Sequence, residues 1–325
     1  MTKVLILGGT GWVSGLLARR WMDAGASVTC LARGSSPVPE GARLVASDRD
    51  AHGAYDRVAG QRWDEIVDVS SDPAQVSAAG EALGAQTDHW TYVSSVSVYA
   101  SSDDVGADES AALASPARPG DRSDYPGSKA AAEAAVRSLG SRAAIVRPGL
   151  IVGPGDPTDR FGYWPASFAR AQSDAVLIPA SHGLWSQVID VDDLVDFLVS
   201  TGAEGRGGAV DAVGESVPLS DVFALARAAA GHRGEVVEVP GEWLRENGVA
   251  YWAGPRSLPL WLPDDMPGFA RRLGDRYRAL GGRVRPLADT VARVLVDERA
   301  RGLGRDRVCG LTRDDERSLI ALWRG

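Results

Sequence analysis

Lys3-Val4-Leu5-Ile6-Leu7-Gly8-Gly9-Thr10-Gly11-Trp12-Val13-Ser14-Gly15 opens the 325-residue chain, and its reading decides the fold. The run up to Leu7 is apolar in the manner of a strand buried on both faces; a glycine turn and then a helical pattern follow. Gly8, Gly9 and Gly11 lack the Cβ atoms that would keep a diphosphate from the backbone N–H groups. The helix beginning near Trp12 points its positive end at such an anion. Strand, turn and helix in this order predict a dinucleotide-binding turn, with Gly8, Thr10, Gly11, Trp12 and Val13 as its contacts.

Further strands are expected near residues 27 to 31, 43 to 46, 65 to 69, 90 to 94 and 143 to 147, with helices between most of them. That alternation predicts an α/β fold: a Rossmann-type doubly wound parallel sheet with a smaller, mainly C-terminal substrate domain. Residues 1–155 form the nucleotide-binding part, later segments such as 186–201 return to it, and 156–325 is mainly substrate-binding. Helical patterns are read at 125 to 139, 190 to 200, 219 to 230, 287 to 300 and 313 to 323. The stretch from Tyr99 to Tyr125, with Asp103, Asp104, Asp108, Glu109, Pro116 and Pro119, reads as a long loop. The Trp-, Pro- and Gly-rich stretch from 243 to 268 reads as an irregular wall.

Composition narrows the function classes. With 44% hydrophobic and 24% charged residues, the chain is that of a soluble globular protein. A net charge of -8 argues against a nucleic-acid partner. No run approaches the ~20 apolar residues of a membrane span, and no secretory signal is legible, so a membrane partner is not expected. Cys30 and Cys309 are the only cysteines, which makes a reducing cytoplasmic location the simpler expectation. His52, His89, His182 and His232 are scattered without metal-ligand spacing, so no metal site is expected.

Tyr125 and Lys129, in Tyr125-Pro126-Gly127-Ser128-Lys129, stand four apart, which places both on one helix face. A nearby ammonium favours phenolate and makes a phenol useful in proton transfer near neutral pH. The second strand ends in Cys30-Leu31-Ala32-Arg33-Gly34, with no acid to accept hydrogen bonds from the ribose of NAD. Arg33 is suited instead to a 2′-phosphate, so NADP(H) is favoured, with NAD(H) as the alternative. Asp48 and Arg49 follow the third strand, where an adenine edge is read. Ser95, at the carboxyl end of the fifth strand in Val93-Ser94-Ser95-Val96-Ser97-Val98-Tyr99, is placed to hold a substrate oxygen; Ser97 and Tyr99 beside it are candidate substrate contacts. Arg160, Tyr163 and Trp164, with Trp185 and Gln187, are expected on the substrate side, where large aromatics around a few polar groups suit a small, partly apolar ligand. The competing reading makes these aromatics core.

Taken together, these residues resemble the extended branch of the short-chain dehydrogenase/reductase family, also called the NAD-dependent epimerase/dehydratase group. The resemblance rests on Gly-Gly-Thr-Gly at 8 to 11, Ser-Ser-Val-Ser-Val-Tyr at 94 to 99, Tyr-Pro-Gly-Ser-Lys with Glu133, Arg147-Pro148 followed by Gly153-Pro154, and Ile189-Asp190-Val191-Asp192-Asp193. It implies Tyr125 as general acid/base, Ser95 holding the reacting oxygen, Lys129 on the nicotinamide ribose, Pro148 beside the nicotinamide and Ser70 near the inner ribose. It also implies a homodimer through the helices near 73 to 84 and 125 to 139. Two departures stand out. Ser14 replaces the third glycine of the turn, and Leu150 stands where nucleotide-sugar enzymes usually carry an asparagine, which is more like the carbonyl reductases of the branch. The expected activity is NADP(H)-dependent hydride transfer at a small-molecule carbonyl or alcohol. The alternatives are an NAD-dependent sugar or nucleotide-sugar epimerase or dehydratase, and a silent nucleotide-binding sensor.

Overall fold

The computed structural model describes residues 1–118, 121 and 123–325. The chain forms two compact units: Met1–Ile151 with Val191–Gly214 and Arg272–Val284, and Val152–Asp190 with Glu215–Arg271 and Arg285–Gly325.

In the first unit, strands β1 (Lys3–Leu7), β2 (Ser27–Ala32), β3 (Arg43–Ala46), β4 (Trp63–Asp68), β5 (Thr87–Val93) and β6 (Ala143–Pro148) join the strand Gly208–Ala212. All pairings are parallel, in the order Gly208–Ala212, β6, β5, β4, β1, β2, β3. The order reverses between β1 and β4, and at such a switch point the carboxyl ends of the strands open a crevice. Leu5 and Leu7 are fully buried in one cluster with Ile66, Val76, Trp90, Tyr92, Ala132 and Val136. Alternation along the strand sends the equally buried Val4 and Ile6 to the opposite face.

Helix starts follow local chemistry. Helix α1 (Trp12–Asp23) begins at Gly11, whose N–H donates to Ser14 Oγ (3.0 Å), while that hydroxyl donates to Gly8 O (2.9 Å). Ser14 therefore cross-ties the glycine turn. The short α2 spans Asp56–Ala59. Helix α3 (Pro73–Leu83) is capped by Asp72, which accepts from Ala74 N and Gln75 N, and α4 (Tyr125–Arg137) by Asp124, which accepts from Gly127 N. Each carries proline in its first turn, where the missing N–H has no helical partner to lose. The helices α3 and α4 pack on each other, as do α1 and the helix Val191–Ala203.

The strand Gly208–Ala212 is an addition to the expected sheet; its five residues are too short and too glycine-flanked to give a strand pattern. Pro119 of the expected loop lies outside the described residues. The described part of that loop folds back, with Ala100 N donating to Ala112 O and Ala114 N to Val98 O.

The second unit contains the helices Tyr163–Ala171, Leu219–Ala230, Leu287–Arg301 and Arg313–Trp323, the first three packed on one another. Strand Val176–Pro179 pairs in parallel with Val236–Val239, and Trp185–Asp190 pairs antiparallel to Ser216–Pro218. The stretch expected as an irregular wall holds a short helix, Gly241–Glu246, and two three-residue strands. Left-handed backbone recurs there at Trp252, Arg256 and Leu260. Among the described residues, no helix is long and apolar enough to cross a membrane, and no group of three or more His, Cys, Asp or Glu could hold a metal ion.

Candidate active site

A cleft of about 520 Å³ opens at the carboxyl ends of the strands in the first unit. Its walls bring together Gly8 and Thr10 of the turn, Arg33 after β2, Asp48 and Arg49 after β3, Ser70 after β4, and Tyr125 and Ser128 of α4. These residues are separated by more than a hundred positions in the chain, and the parallel sheet aligns them because every strand in it ends on the same edge.

The turn has the shape of a phosphate cradle. Gly8 has φ 99°, a conformation that favours glycine, and a Cβ on Gly9 would sit 2.5 Å from Cys30 Cβ and closer still to its Sγ. The backbone can therefore lie directly on β2. Arg33 is exposed at the rim and makes no ion pair among the described residues. Arg49 differs from the expectation. Its guanidinium forms a bidentate pair with Asp68 (2.8 and 2.7 Å) and also donates to Tyr55 Oη and Gln75 O. Four of its five N–H donors are thereby committed to the protein, so Arg49 stands in the wall of the cleft with its fork held by Asp68.

Tyr125 stands at the first position of α4, 44% exposed. Lys129, one turn on, is turned inward and buried, donating to Ser70 O (3.1 Å), Tyr92 Oη (3.1 Å) and Val93 O (2.9 Å). Burial pushes the Lys129 ammonium down to about 8, against the opposing pull of Asp68 and Glu133. Pro148 is buried at the end of β6, in register with Ala212.

The two serines after β5 diverge. Ser94 is buried and donates to Glu133 Oε1 (2.7 Å), whereas Ser95 is half-buried, its hydroxyl accepting from Ser97 N (3.1 Å). Among the described residues the half-buried Ser95 hydroxyl is engaged only by that neighbouring backbone N–H, which leaves its own O–H to donate. Ser97, also half-buried, lies on the short turn Val96–Val98.

Tyr99 is a correction to the expected substrate contacts. Its hydroxyl donates to Asp211 Oδ1 (2.6 Å) and accepts from Arg147 Nη1 (2.7 Å), and its ring carries the Arg272 guanidinium 3.3 Å from its centre. Arg147 forks onto Glu133, and Arg272 onto Asp211 and Asp108 O. Tyr99, Glu133, Arg147, Asp211 and Arg272 are all buried, and burial together with Asp211 raises the phenol pKa.

In the second unit, Tyr163 and Trp164 are also corrections. They are 1% and 0% exposed, stacked edge to face, with Trp164 against Phe223 and its indole N–H donating to Pro259 O (2.8 Å). Both belong to the core of that unit. Arg160 lies over the Trp252 ring at 5.2 Å, and Gln187 is buried in the pairing of Trp185–Asp190 with Ser216–Pro218.

Several cleft residues were not singled out from the sequence: Ser35, Asp50, Asp72, Gln75 and Ser128. Gln75 of α3 donates to Asp50 (2.8 Å) and accepts from Ser70 Oγ (2.9 Å), a link between a helix and two loops that no local pattern announces.

A doubly wound parallel sheet with a glycine turn and a cleft at its switch point defines a Rossmann-type fold. The chain belongs to the NAD dependent epimerase/dehydratase family, whose family model matches residues 4–212. No curated protein sequence matches it significantly. Among solved structures, the UDP-glucose 4-epimerase of Thermotoga maritima with UDP-glucose is 14% identical, with TM-score 0.69, covering 92% of this chain and 99% of that one. The UDP-glucuronic acid 4-epimerase of Bacillus cereus in complex with NAD is 13% identical, with TM-score 0.67 and coverage of 92% and 99%. RMD of Pseudomonas aeruginosa complexed with NADPH is 17% identical, with TM-score 0.66 and coverage of 93% and 100%. At these identities the likeness is one of fold.

Proposed function

We propose that the protein is an NADP(H)-dependent oxidoreductase acting on a small-molecule carbonyl or alcohol. The observation that carries the reading is the single cleft wall shared by the glycine turn, Arg33 and Tyr125. A bound nicotinamide would supply the hydride acceptor or donor. The chain would supply the rest. Gly8, Thr10 and the start of α1 would hold the diphosphate, and Arg33 would pair with a 2′-phosphate because Arg49 is already held by Asp68. Tyr125 would give a proton to the carbonyl oxygen in reduction and take it back in oxidation, while Ser95 orients that oxygen. Lys129, one turn along α4, would hold a ribose hydroxyl of the nicotinamide nucleotide.

A second reading is favoured by the family description itself: an epimerase or dehydratase that oxidises and re-reduces its substrate around a retained NAD. Calorimetric titration of the purified protein with NADPH and NADH, preceded by mass spectrometry for copurified nucleotide, separates the two. Empty protein that prefers NADPH supports the reductase. Retained NAD moves the assignment to the second reading, and binding of neither overturns both.

A further inference from the structure

Of the 35 basic residues in the chain, all but Lys3 and Lys129 are arginine. Lys3 is exposed at the start of β1, whereas Lys129 is 2% exposed. An ammonium has three N–H donors. Those of Lys129 are matched by three protein acceptors: Ser70 O, Val93 O and the hydroxyl of Tyr92. The Tyr92 hydroxyl itself donates to Ser70 O (3.0 Å), so its lone pairs are left to face Lys129, and Nζ lies 4.8 Å from the centre of the Tyr92 ring. Alternation along β5 explains the meeting: Tyr92 points to the face covered by α4, in one cluster with Ala132 and Val136. The other charged or titratable groups acting on this pair are Asp68 of β4, Glu133 and Tyr125 of α4, and Arg49.

A ligand hydroxyl can take an N–H from Lys129 only if one of the three acceptors gives it up. Vacating Val93 O would strand a buried backbone carbonyl. Ser70 O would keep the Tyr92 O–H if vacated, but a peptide carbonyl accepts an ammonium N–H more strongly than a phenol oxygen does; vacating Tyr92 therefore costs least, and its own O–H stays satisfied by Ser70 O. We propose that Tyr92 is a positioning residue that holds Lys129 in the free protein and yields it to a ribose hydroxyl when nucleotide enters the cleft. The holding role stands on the free protein; the exchange rests on the nicotinamide reading above.

The scarcity of lysine makes the test direct. Protein labelled with ¹³C-lysine gives signals from Lys3 and Lys129 alone, with Lys3 as internal reference, and their Cε shifts are titrated with pH. In Tyr92→Phe the lost acceptor disfavours the ammonium, so the Lys129 midpoint falls by about one unit, a tenfold change in its dissociation constant, while Lys3 stays put. An unchanged Lys129 midpoint overturns the holding role. In the unsubstituted protein, a nuclear Overhauser contact between the Lys129 side chain and the Tyr92 ring is expected without ligand and is weakened by saturating NADPH or NADH. Its absence from the free protein overturns the holding role even if the variant does not fold, and its persistence at full strength in the saturated protein overturns the exchange. If neither nucleotide binds, the nicotinamide reading and the exchange that rests on it both fail, and the Lys129 midpoint in the free protein still decides the holding role.

Discussion

Glu133 and Arg147 face each other as a buried fork, Nε to Oε1 at 2.8 Å and Nη2 to Oε2 at 2.7 Å, and each carries a further group: Ser94 on the carboxylate and Tyr99 on the guanidinium. Burial alone would raise the Glu133 carboxyl, but Arg147 and Ser94 hold it below the usual range. The pair ties α4 to β6, and so fixes the helix that bears Tyr125 and Lys129. Removing one partner leaves the other charge buried and uncompensated. Glu133→Ala is expected to destabilise the fold by about 3–5 kcal/mol in denaturant unfolding. Replacing both residues by apolar ones of similar volume should recover part of that loss, and a double variant no better than the single one would contradict the pairing.

Tyr125→Phe keeps the ring and removes the proton. Turnover is expected to fall by at least about 10²-fold, while nucleotide affinity, read by calorimetry, stays within a few-fold. A variant that loses nucleotide binding along with activity would place Tyr125 in binding rather than in proton transfer.

Arg33→Ala should weaken NADPH by roughly tenfold to a hundredfold and NADH much less, as expected for one charge-assisted contact to a 2′-phosphate. Equal losses for the two nucleotides in parallel titrations would remove Arg33 from cofactor choice.

Gly9→Ala tests how closely the turn lies on the sheet. The added Cβ meets both Cβ and Sγ of Cys30 in β2, a strand that is buried from Val28 to Ala32 and has little room to give. A loss of about 1–3 kcal/mol is expected, read as a lower denaturation midpoint. Wild-type stability in this variant would mean that the turn stands further from β2.

The Lys129 pKa carries a sign. Folding lowers it from 10.5 to about 8, so between those values the unfolded chain binds more protons than the folded one. Its contribution is unfavourable below pH 8 and is relieved as pH rises through that window, by up to about 1.4 kcal/mol per pH unit. The stability of the wild type relative to Lys129→Met should therefore improve from pH 8 to pH 10. A difference that does not change with pH would show that Lys129 is not depressed.

The amino-acid order alone determined the features whose signal is local. The strand, glycine turn and helix at 3 to 15, the Tyr125 to Lys129 spacing, and the apolar runs at 3 to 7, 43 to 46 and 143 to 147 are set by neighbours a few residues apart. Steric and hydrogen-bonding rules act at that range. The tertiary structure decided what depends on a partner far along the chain. Tyr99 looks like a site residue in its hexapeptide, but Asp211 and Arg272 capture it. Arg49 looks like a ligand donor until Asp68, on the other side of β1 in the sheet, takes its fork. Tyr163 and Trp164 fit either a binding wall or a core; both are buried, Trp164 packs on Phe223 and donates to Pro259 O, and Tyr163 lies edge-on against Trp164, which places them in the core. A side chain's chemistry is written in its type, but whether it faces a ligand or another residue is fixed by which strands lie side by side. Only the folded sheet sets that order.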